Sequence, residues 1–441
     1  MSVAFRVADA ALEFIACPLR LPLKFGAETI DELHTGRVKL TLADASGRCV
    51  SGWGETPLSA AWGWPSRELS YAARENRMKD FCKVLAGAWR GFSGEGHAFD
   101  AGYDFQERIF PKLAEREKIP HLAALICASL FDIALHDAYG NLVGKPVYDT
   151  YNQYYMAHDL GYFYGDEAFA GLYPEDFFVK EIPTRLPVWH LVGGRDLLTA
   201  AELTGREPRD GYPVVLTDWI RRDGLKCLKI KLTGRDEAWD YSRMTAVGKI
   251  ALEYGVDALS PDFNCMVKEP AYVNRVLDRL KRDEPAVYDL ILYVEQPFPY
   301  DLEANRIDVR SVSARKPLFM DESAHDWKFV RMGYESGWTG VALKVCKTQT
   351  GALLSACWAK KHGMQLMVQD LTNPMLAMVP HAALAAHIGT IRGVECNAPQ
   401  FYPEVSRREE AIHPGLYRRR EGTIDLSTLR GSGFGYAPGL I

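Results

Sequence analysis

Apolar and polar residues alternate over much of the first 58 residues, and this pattern predicts β-strands. Every second position is apolar in VKLTL at 38–42, a turn-like Asp-Ala-Ser-Gly follows at 44–47, and the strand pattern resumes at 50–55. From about 66 to 145 apolar residues recur at helical spacing, most clearly in HLAALICASLFDIALHDAYG, where Gly140 predicts the helix end. Residues 1–148 are therefore predicted to form an α+β unit.

A different pattern begins near residue 186, where short apolar runs alternate with helical stretches. The runs lie at 186–191, 227–232, 258–264, 291–297, 317–323, 341–345 and 365–370, with a weaker one at 393–397. Repetition of strand and helix predicts a parallel sheet, and seven or eight such units predict a closed barrel. The expected fold is α/β, a (β/α) barrel over residues 186–400 preceded by the α+β unit.

Two further segments complete the chain. Residues 149–185 are rich in Tyr and Phe. They form either an insertion that packs its aromatic rings at the domain junction, or a lid or oligomer contact over the site. Residues 401–441 are expected to pack back on the first unit.

Composition narrows the classes of function. The formal net charge is −5 with both signs dispersed and no Lys/Arg run, so we expect neither a nucleic-acid nor a membrane partner. Nine scattered cysteines without CxxC spacing predict reduced thiols in the cytoplasm. No signal-peptide pattern is present, and no stretch comes close to the ~18 apolar residues of a membrane span.

Polar residues end most of the predicted barrel strands. Because the carboxyl ends of parallel barrel strands meet at one face, these side chains are expected to lie together. In chain order they are Lys229, Lys231, Asp262, Asn264, Glu295, Asp321, Glu322, Lys344, Gln369 and Asp370.

The acids among them predict a metal site. Converging carboxylates repel one another unless a cation lies between them, and all-oxygen ligation suits Mg²⁺. We assign metal ligation to Asp262, Glu295 and Asp321. An ion held there can stabilise the enediolate formed when a carboxylate substrate loses its α proton.

The lysines predict proton transfer. Lys229 and Lys231 are two positions apart and face the same side of one strand, so adjacent ammonium groups are expected to lower one pKa. Lys231 is assigned as one base, and Lys344, four strands round the barrel, as the base on the opposite face. Lys229 is assigned to tune the pKa of Lys231, with contact to the substrate carboxylate as a further role.

Each feature alone has a simpler explanation. A single Asp after a strand is usually a helix N-cap, and a single Lys-x-Lys is usually a solvated strand edge. A barrel with a decayed site and a Schiff-base aldolase that uses one of the lysines are the two competing classes. The ordered occurrence of lysine, three acids and lysine favours the metal-dependent enzyme.

These residues resemble the enolase superfamily, in particular its muconate-lactonizing-enzyme-like branch within the mandelate racemase/muconate lactonizing enzyme family. The resemblance rests on Lys229-Ile-Lys231, Asp262, Glu295, Asp321 and Lys344, and extends to VKLTLADASGRCVSGWGE and to 134–148. Lys344 stands where the mandelate-racemase-like branch has Asp. Two departures are Asp262-Phe-Asn-Cys-Met after the third strand and the lack of a clear Asp-x-Asp after the seventh, which argues against a dipeptide substrate.

The resemblance implies an N-terminal capping domain, a homo-oligomer and a small carboxylate substrate. Racemisation or epimerisation is the expected reaction; dehydration of an acid sugar and cycloisomerisation are the alternatives. It also implies that capping-domain loops set specificity, here with Phe25 and Trp64 as candidate contacts, although Trp62-Gly-Trp64 suits interface packing equally well. Asn264 is either a supporting group or a turn residue, Glu322 could exchange roles with Asp321, and Gln369-Asp370 either contact substrate or cap a helix.

Overall fold

The computed structural model describes residues 4–25 and 28–436, except for the side chains of residues 24 and 25. Its N-terminal capping unit begins with an antiparallel sheet. Its strands are Phe5–Phe25 (β1), Glu28–Asp44 (β2), Cys49–Pro57 (β3) and Ser93–Gly94 (β4). They pair in the order β3-β2-β1-β4. Val38, Leu40 and Leu42 are fully buried, because alternate side chains of β2 point to the covered face of the sheet.

In the described part of this unit five helices accompany the sheet, and the last of them packs directly against β2 and β3. They are Ala60–Gly63 (α1), Tyr71–Trp89 (α2), Ala98–Arg108 (α3), Phe110–Glu117 (α4) and His121–Val143 (α5). A Cβ atom on Gly54 of β3 would lie 1.9 Å from the carbonyl oxygen of Leu130 in α5, so glycine permits this close packing. Helix α5 runs through Gly140 and ends at Val143, and Gly144, whose φ is 67°, is its C-cap.

Helix α5 corrects the expectation that no segment has the length and apolar composition of a membrane span. In the described part of the chain it is the one helix that meets both criteria, and its most apolar stretch is completely buried inside the protein. A helix that is apolar on all sides is typical of a core position, and here the sheet, α2 and the barrel surround it.

Eight parallel strands form the closed barrel that the sequence predicts. They are Arg185–Val192 (β5), Cys227–Lys231 (β6), Ala258–Asp262 (β7), Val294–Glu295 (β8), Leu318–Met320 (β9), Gly340–Leu343 (β10), Gln365–Val368 (β11) and Val394–Glu395 (β12). Pairing of Val394 with Val188 closes the ring between β12 and β5. A short strand, Thr423–Asp425 (β13), adds to β5 in antiparallel register.

Helices follow most of the barrel strands. In chain order the remaining helices are Leu160–Tyr164 (α6), Leu216–Asp223 (α7), Glu237–Tyr254 (α8), Pro270–Asp283 (α9), Pro285–Leu290 (α10), Arg310–Ser313 (α11), Trp327–Ser336 (α12), Gln349–Lys361 (α13), Met378–Ile388 (α14), Ala398–Phe401 (α15), Arg407–Ile412 (α16) and Pro414–Tyr417 (α17). Large side chains that include Trp189, Tyr293 and Phe319 pack together near the start of the strands, and fill the barrel interior opposite the loops that follow them.

Residues 149–185 and the C-terminal segment both contact the two units. The Tyr151 hydroxyl pairs with His136 of α5 at 2.9 Å, and the Tyr164 hydroxyl donates to the Leu354 carbonyl of α13 at 2.6 Å. Near the C-terminus, the backbone N–H of Phe434 donates to Asp137 of α5 at 2.8 Å. These contacts fix the position of the capping unit on the barrel.

Candidate active site

The carboxyl ends of β6 to β10 bring the predicted lysines and acids to one face of the barrel. Lys231 pairs with Asp262 in the register of β6 and β7, and Asp262 pairs with Glu295 in that of β7 and β8. Asp262 and Glu295 are completely buried, and Asp321 and Lys344 are nearly so. Adjacent parallel strands therefore place charges of both signs in a site with little water.

Lys229 is the main counter-charge for the acids. Its Nζ lies 2.6 Å from Glu295 Oε1, 3.5 Å from Asp262 Oδ2 and 3.4 Å from Glu395 Oε1. Burial would lower the pKa of Lys229, but these carboxylates, Glu295 first, raise it well above the usual range. The ammonium group of Lys231 lies 2.5 Å from Asp262 Oδ2. Burial would raise the pKa of Asp262, yet Lys231 and Lys229 hold it at about 2.

Lys344 approaches the acids from the other side. Its Nζ lies 3.4 Å from Asp321 Oδ2 and donates to the Asp370 carbonyl at 3.0 Å. Burial would lower the pKa of Lys344, but Asp321 in particular raises it. Of the two adjacent lysines that were expected to include one with a lowered pKa, Lys229 instead has a raised pKa, because carboxylates lie close to its ammonium group.

The acids have the chemistry of a magnesium site, although they do not form a ready-made cage. In the part of the chain that the structure describes, no three His, Cys, Asp or Glu side chains are arranged around one ion position. Asp262, Glu295 and Asp321 nevertheless supply only oxygen donors, as Mg²⁺ prefers. Asp321 Oδ1 is buried and accepts no hydrogen bond from a described residue. The donor set fits a hard divalent cation once Lys229 yields its place beside Glu295.

The two proposed base lysines line the same cavity. It has a volume of about 30 Å³, and the capping unit closes it with Leu23, Leu33, Ser59 and Trp62. Its other lining residues come from the barrel and are Leu191, Lys229, Lys231, Asp321, Lys344, Asp370, Leu371, Thr372, Glu395 and Asn397. The cavity thus combines amines, carboxylates and an apolar wall.

Four predicted polar contacts lie within this network. Asn264 has a φ of 45°, and its amide lies 3.4 Å from Asp262 Oδ2 and 3.3 Å from Glu322 Oε1. Gln369 donates to Glu295 Oε2 at 2.5 Å and accepts from Lys229 at 3.3 Å. Asp370 lines the cavity. Burial first, and then Asp321, raises the pKa of Glu322 to about 7.

Of the two predicted aromatic contacts, Trp64 does not line the cavity. The side chain of Phe25 lies outside the described residues. The centre of the Trp64 ring lies 5.0 Å from the guanidinium carbon of Arg77. The backbone carbonyl of Trp64 accepts a hydrogen bond from Arg74 at 2.5 Å. Trp62, two positions earlier, lines the cavity instead.

Glu395 and Asn397 are site residues that the sequence analysis missed. The Asn397 amide donates to Glu395 Oε1 at 2.8 Å and to Asp370 Oδ1 at 2.9 Å. Burial opposes ionisation of Glu395, but Lys229 and Lys344 lower its pKa. The available signal was Glu-x-Asn at the end of the weak eighth run, where alternation directs both side chains to the same face.

A larger cavity of about 280 Å³ lies between α7 and α17. Cys396, the residue between Glu395 and Asn397, is part of its lining. Its lining includes four arginines. Three of them have ion pairs within the cavity wall: Arg419 with Asp223 at 2.7 Å, Arg222 with Asp223 at 3.8 Å, and Arg418 with Glu410. None of the predicted catalytic or metal residues lines it.

Comparison with known proteins places this arrangement in a family. Residues 215–438 match the family model described as enolase C-terminal domain-like. An aromatic dipeptide epimerase from Herpetosiphon aurantiacus is 28% identical over 258 residues, which cover 57% of this chain and 67% of that protein.

Solved structures share the whole fold. A mandelate racemase/muconate lactonizing protein from Herpetosiphon aurantiacus has a TM-score of 0.65 and 19% identity, with 98% of each chain covered. A dipeptide epimerase from Cytophaga hutchinsonii, complexed with Mg and D-Ala-L-Val, has a TM-score of 0.63 and 16% identity over 100% of this chain and 96% of that one. The family model spans half of this sequence and includes every predicted metal ligand and lysine. The chain therefore belongs to the enolase superfamily, as a member of its mandelate racemase/muconate lactonizing enzyme family.

Proposed function

We propose that the protein is a Mg²⁺-dependent epimerase that moves the proton α to a carboxylate in a small substrate, and that this substrate is a dipeptide. One observation carries the proposal: Lys231 and Lys344 line the same cavity, with Asp321 also in its wall. Two amines on one cavity suit a reaction in which one group removes a proton and another returns it.

The acids and the lysines have different roles in the proposed reaction. When bound by Asp262, Glu295 and Asp321, Mg²⁺ supplies the positive charge that stabilises the enediolate of the substrate. Lys231 removes the α proton from one face, and Lys344 delivers a proton to the other; the reverse reaction exchanges their roles. Sharing the charge of Asp321 with a cation would lower the pKa of Lys344 towards the range a base requires.

The lining of the cavity supports a substrate with both an amine and an apolar part. Asp370 and Glu395 lie at one side and can receive an ammonium group, such as the N-terminus of a dipeptide. Leu23, Leu33 and Trp62 offer an apolar wall to the side chain of the second residue. The absence of Asp-x-Asp is compatible with a dipeptide if Glu395 and Asp370 together replace that pair of acids.

Deuterium exchange tests the proposal. Dipeptides, their N-acetyl derivatives, N-acylamino acids and sugar acids are incubated with the enzyme and Mg²⁺ in D₂O, and mass spectrometry follows the α carbon. A gain of one mass unit in dipeptides, with inversion, is expected, and N-acetylation should slow it. Lys231→Ala and Lys344→Ala should each remove exchange from one epimer only.

Other outcomes identify the alternatives. Loss of water from a sugar acid would indicate a dehydratase, and ring opening or closure a cycloisomerase. No exchange in any carboxylate with the wild-type enzyme would refute the proposal. Assembly as a homo-oligomer and location in the cytoplasm stay predictions.

A further inference from the structure

The capping unit sends one side chain, Trp62, to the lysines of the barrel. Trp62 belongs to α1 and is 4% exposed. The Nζ of Lys344 lies 5.3 Å from the centre of its ring, and that of Lys347 lies 5.5 Å away. The indole N–H donates to Glu322 Oε1 at 3.2 Å. One residue of the cap thus contacts two amines and one acid of the candidate active site.

These contacts restrict the amine of Lys344. Lysine has a flexible four-carbon stem, so its ammonium must be held if it is to face one carbon atom. The barrel provides two contacts, with Asp321 and with the carbonyl of Asp370. The negative face of an indole attracts an ammonium group, and more strongly where water is excluded. Trp62 is the third contact, and it comes from another domain.

The position of Trp62 is itself fixed by the capping unit. Arg74 of α2 is completely buried. Its Nη1 donates to the carbonyls of Ala60 at 3.2 Å and Trp64 at 2.5 Å, one at each end of the short turn that carries Trp62. On the barrel side, Lys347 donates to the Asp321 carbonyl at 2.5 Å and so holds the second amine under the same ring. Both partners of the contact are therefore anchored.

We propose that Trp62 is a positioning residue for Lys344, which holds the amine in line with the substrate when the cap is seated on the barrel. The inference rests on the proposed function for its kinetic part only. Through Trp62 the cap therefore controls the position of one of the two bases, in addition to forming an apolar wall of the cavity.

Two variants separate the ring from its N–H group. Trp62→Phe keeps an aromatic face and loses the bond to Glu322, whereas Trp62→Leu loses both. Lys344→Ala first identifies the epimer whose exchange depends on Lys344. We expect Trp62→Leu to slow exchange of that epimer by roughly tenfold or more while the other changes less than about threefold, and Trp62→Phe to stay within about threefold on both.

Trp53→Leu is the matched control, since the Trp53 ring lies 5.4 Å from the ammonium of Lys39 in the same unit. It should leave both rates unchanged. Trp62→Met replaces the leucine variant if that variant does not fold. Equal losses for both epimers, or no loss, would overturn the inference.

A measurement without substrate keeps the test independent of catalysis. Lysines are labelled with ¹³C at Cε, and the Lys344 signal is identified by its loss in Lys344→Arg. The ring current of an aromatic residue at position 62 should shift the Cε protons of Lys344 upfield in the wild type and in Trp62→Phe. This upfield shift should vanish in Trp62→Leu. An unchanged signal in Trp62→Leu would refute the positioning role even if the wild type failed to exchange any substrate.

Discussion

Replacing Lys229 with methionine tests the electrostatic balance on which the candidate site depends. Methionine keeps an unbranched apolar stem but removes the ammonium group. That group lies 2.6 Å from Glu295, 3.4 Å from Glu395 and 3.5 Å from Asp262, and its side chain is 4% exposed. The variant leaves three buried carboxylates with less counter-charge.

The loss can be bounded from these distances. At an effective dielectric of about 20, the contact with Glu295 is worth about 6 kcal/mol, and those with Glu395 and Asp262 about 5 kcal/mol each, before desolvation is subtracted. Part of the loss is recovered because Glu295, whose pKa burial and Asp262 already raise, can take up a proton. Removing one partner of a buried ion pair typically costs about 3–5 kcal/mol, which is the decrease we expect in the free energy of unfolding.

Urea unfolding with a chelator measures this decrease. Lys249→Met is the control, because Lys249 is 59% exposed and pairs with Glu284 at 2.7 Å; it should lose less than about 1 kcal/mol. Adding Mg²⁺ should stabilise Lys229→Met more than the wild type, since no ammonium competes for the same oxygens. At 100 times its Kd the ion adds about 2.7 kcal/mol. A loss no larger than that of the control, or equal effects of Mg²⁺ on both proteins, would refute the argument.

Three further predictions concern the metal, the core and pH. Glu295→Gln should abolish the Mg²⁺-dependent rise in thermal midpoint and lower kcat by roughly a thousandfold, measured by calorimetry and deuterium exchange. Gly54→Ala should cost about 3 kcal/mol in urea unfolding, because its Cβ would meet the Leu130 carbonyl at 1.9 Å. Gly87→Ala, which meets nothing within 4 Å, should gain about 0.5–1 kcal/mol. Burial lowers the pKa of His136 to about 3. Below pH ~6.5 the native state therefore binds fewer protons than the unfolded state, and the protein loses stability as pH falls. In His136→Gln the free energy of unfolding, measured with urea, should depend less steeply on pH over this range.

The barrel could be predicted because its pattern is local. The apolar run at 227–232 corresponds to β6, and the run at 258–264 begins where β7 begins. By contrast, β4 has two residues and β13 three, and each exists because it pairs with a distant strand. Gly140 was predicted to end α5 but lies within it, where a Cβ would come 2.6 Å from Gly433, a residue almost 300 positions away. No local pattern contains that contact.

The site could be predicted where strand order alone brings residues together. Asp262, Glu295 and Lys231 follow from the register of neighbouring strands. The choice between Trp62 and Trp64 does not, since Trp62 lies within α1 and Trp64 follows its last residue with a non-helical backbone, and only the docking of the cap decides which ring faces the barrel. The position of Trp62 beside Lys344 depends on contacts between domains.

The numbers of lysines and acids in this site explain why their charges stabilise one another. Among the side chains that the structure describes, the barrel mouth holds six acids and four lysines that contact or influence one another. They are Asp262, Glu295, Asp321, Glu322, Asp370, Glu395, Lys229, Lys231, Lys344 and Lys347. Fully ionised, they carry a formal charge of −2, which a single divalent cation would neutralise. Without that cation, burial and mutual repulsion raise the pKa of Glu322 to about 7 and that of Asp370 to about 6. Three other carboxylates, Asp321, Glu395 and Glu295, raise the pKa of Lys344. Binding of a cation would therefore act on every member of the set, ionising acids and freeing an amine to serve as a base, so metal binding and proton transfer are two aspects of one electrostatic system.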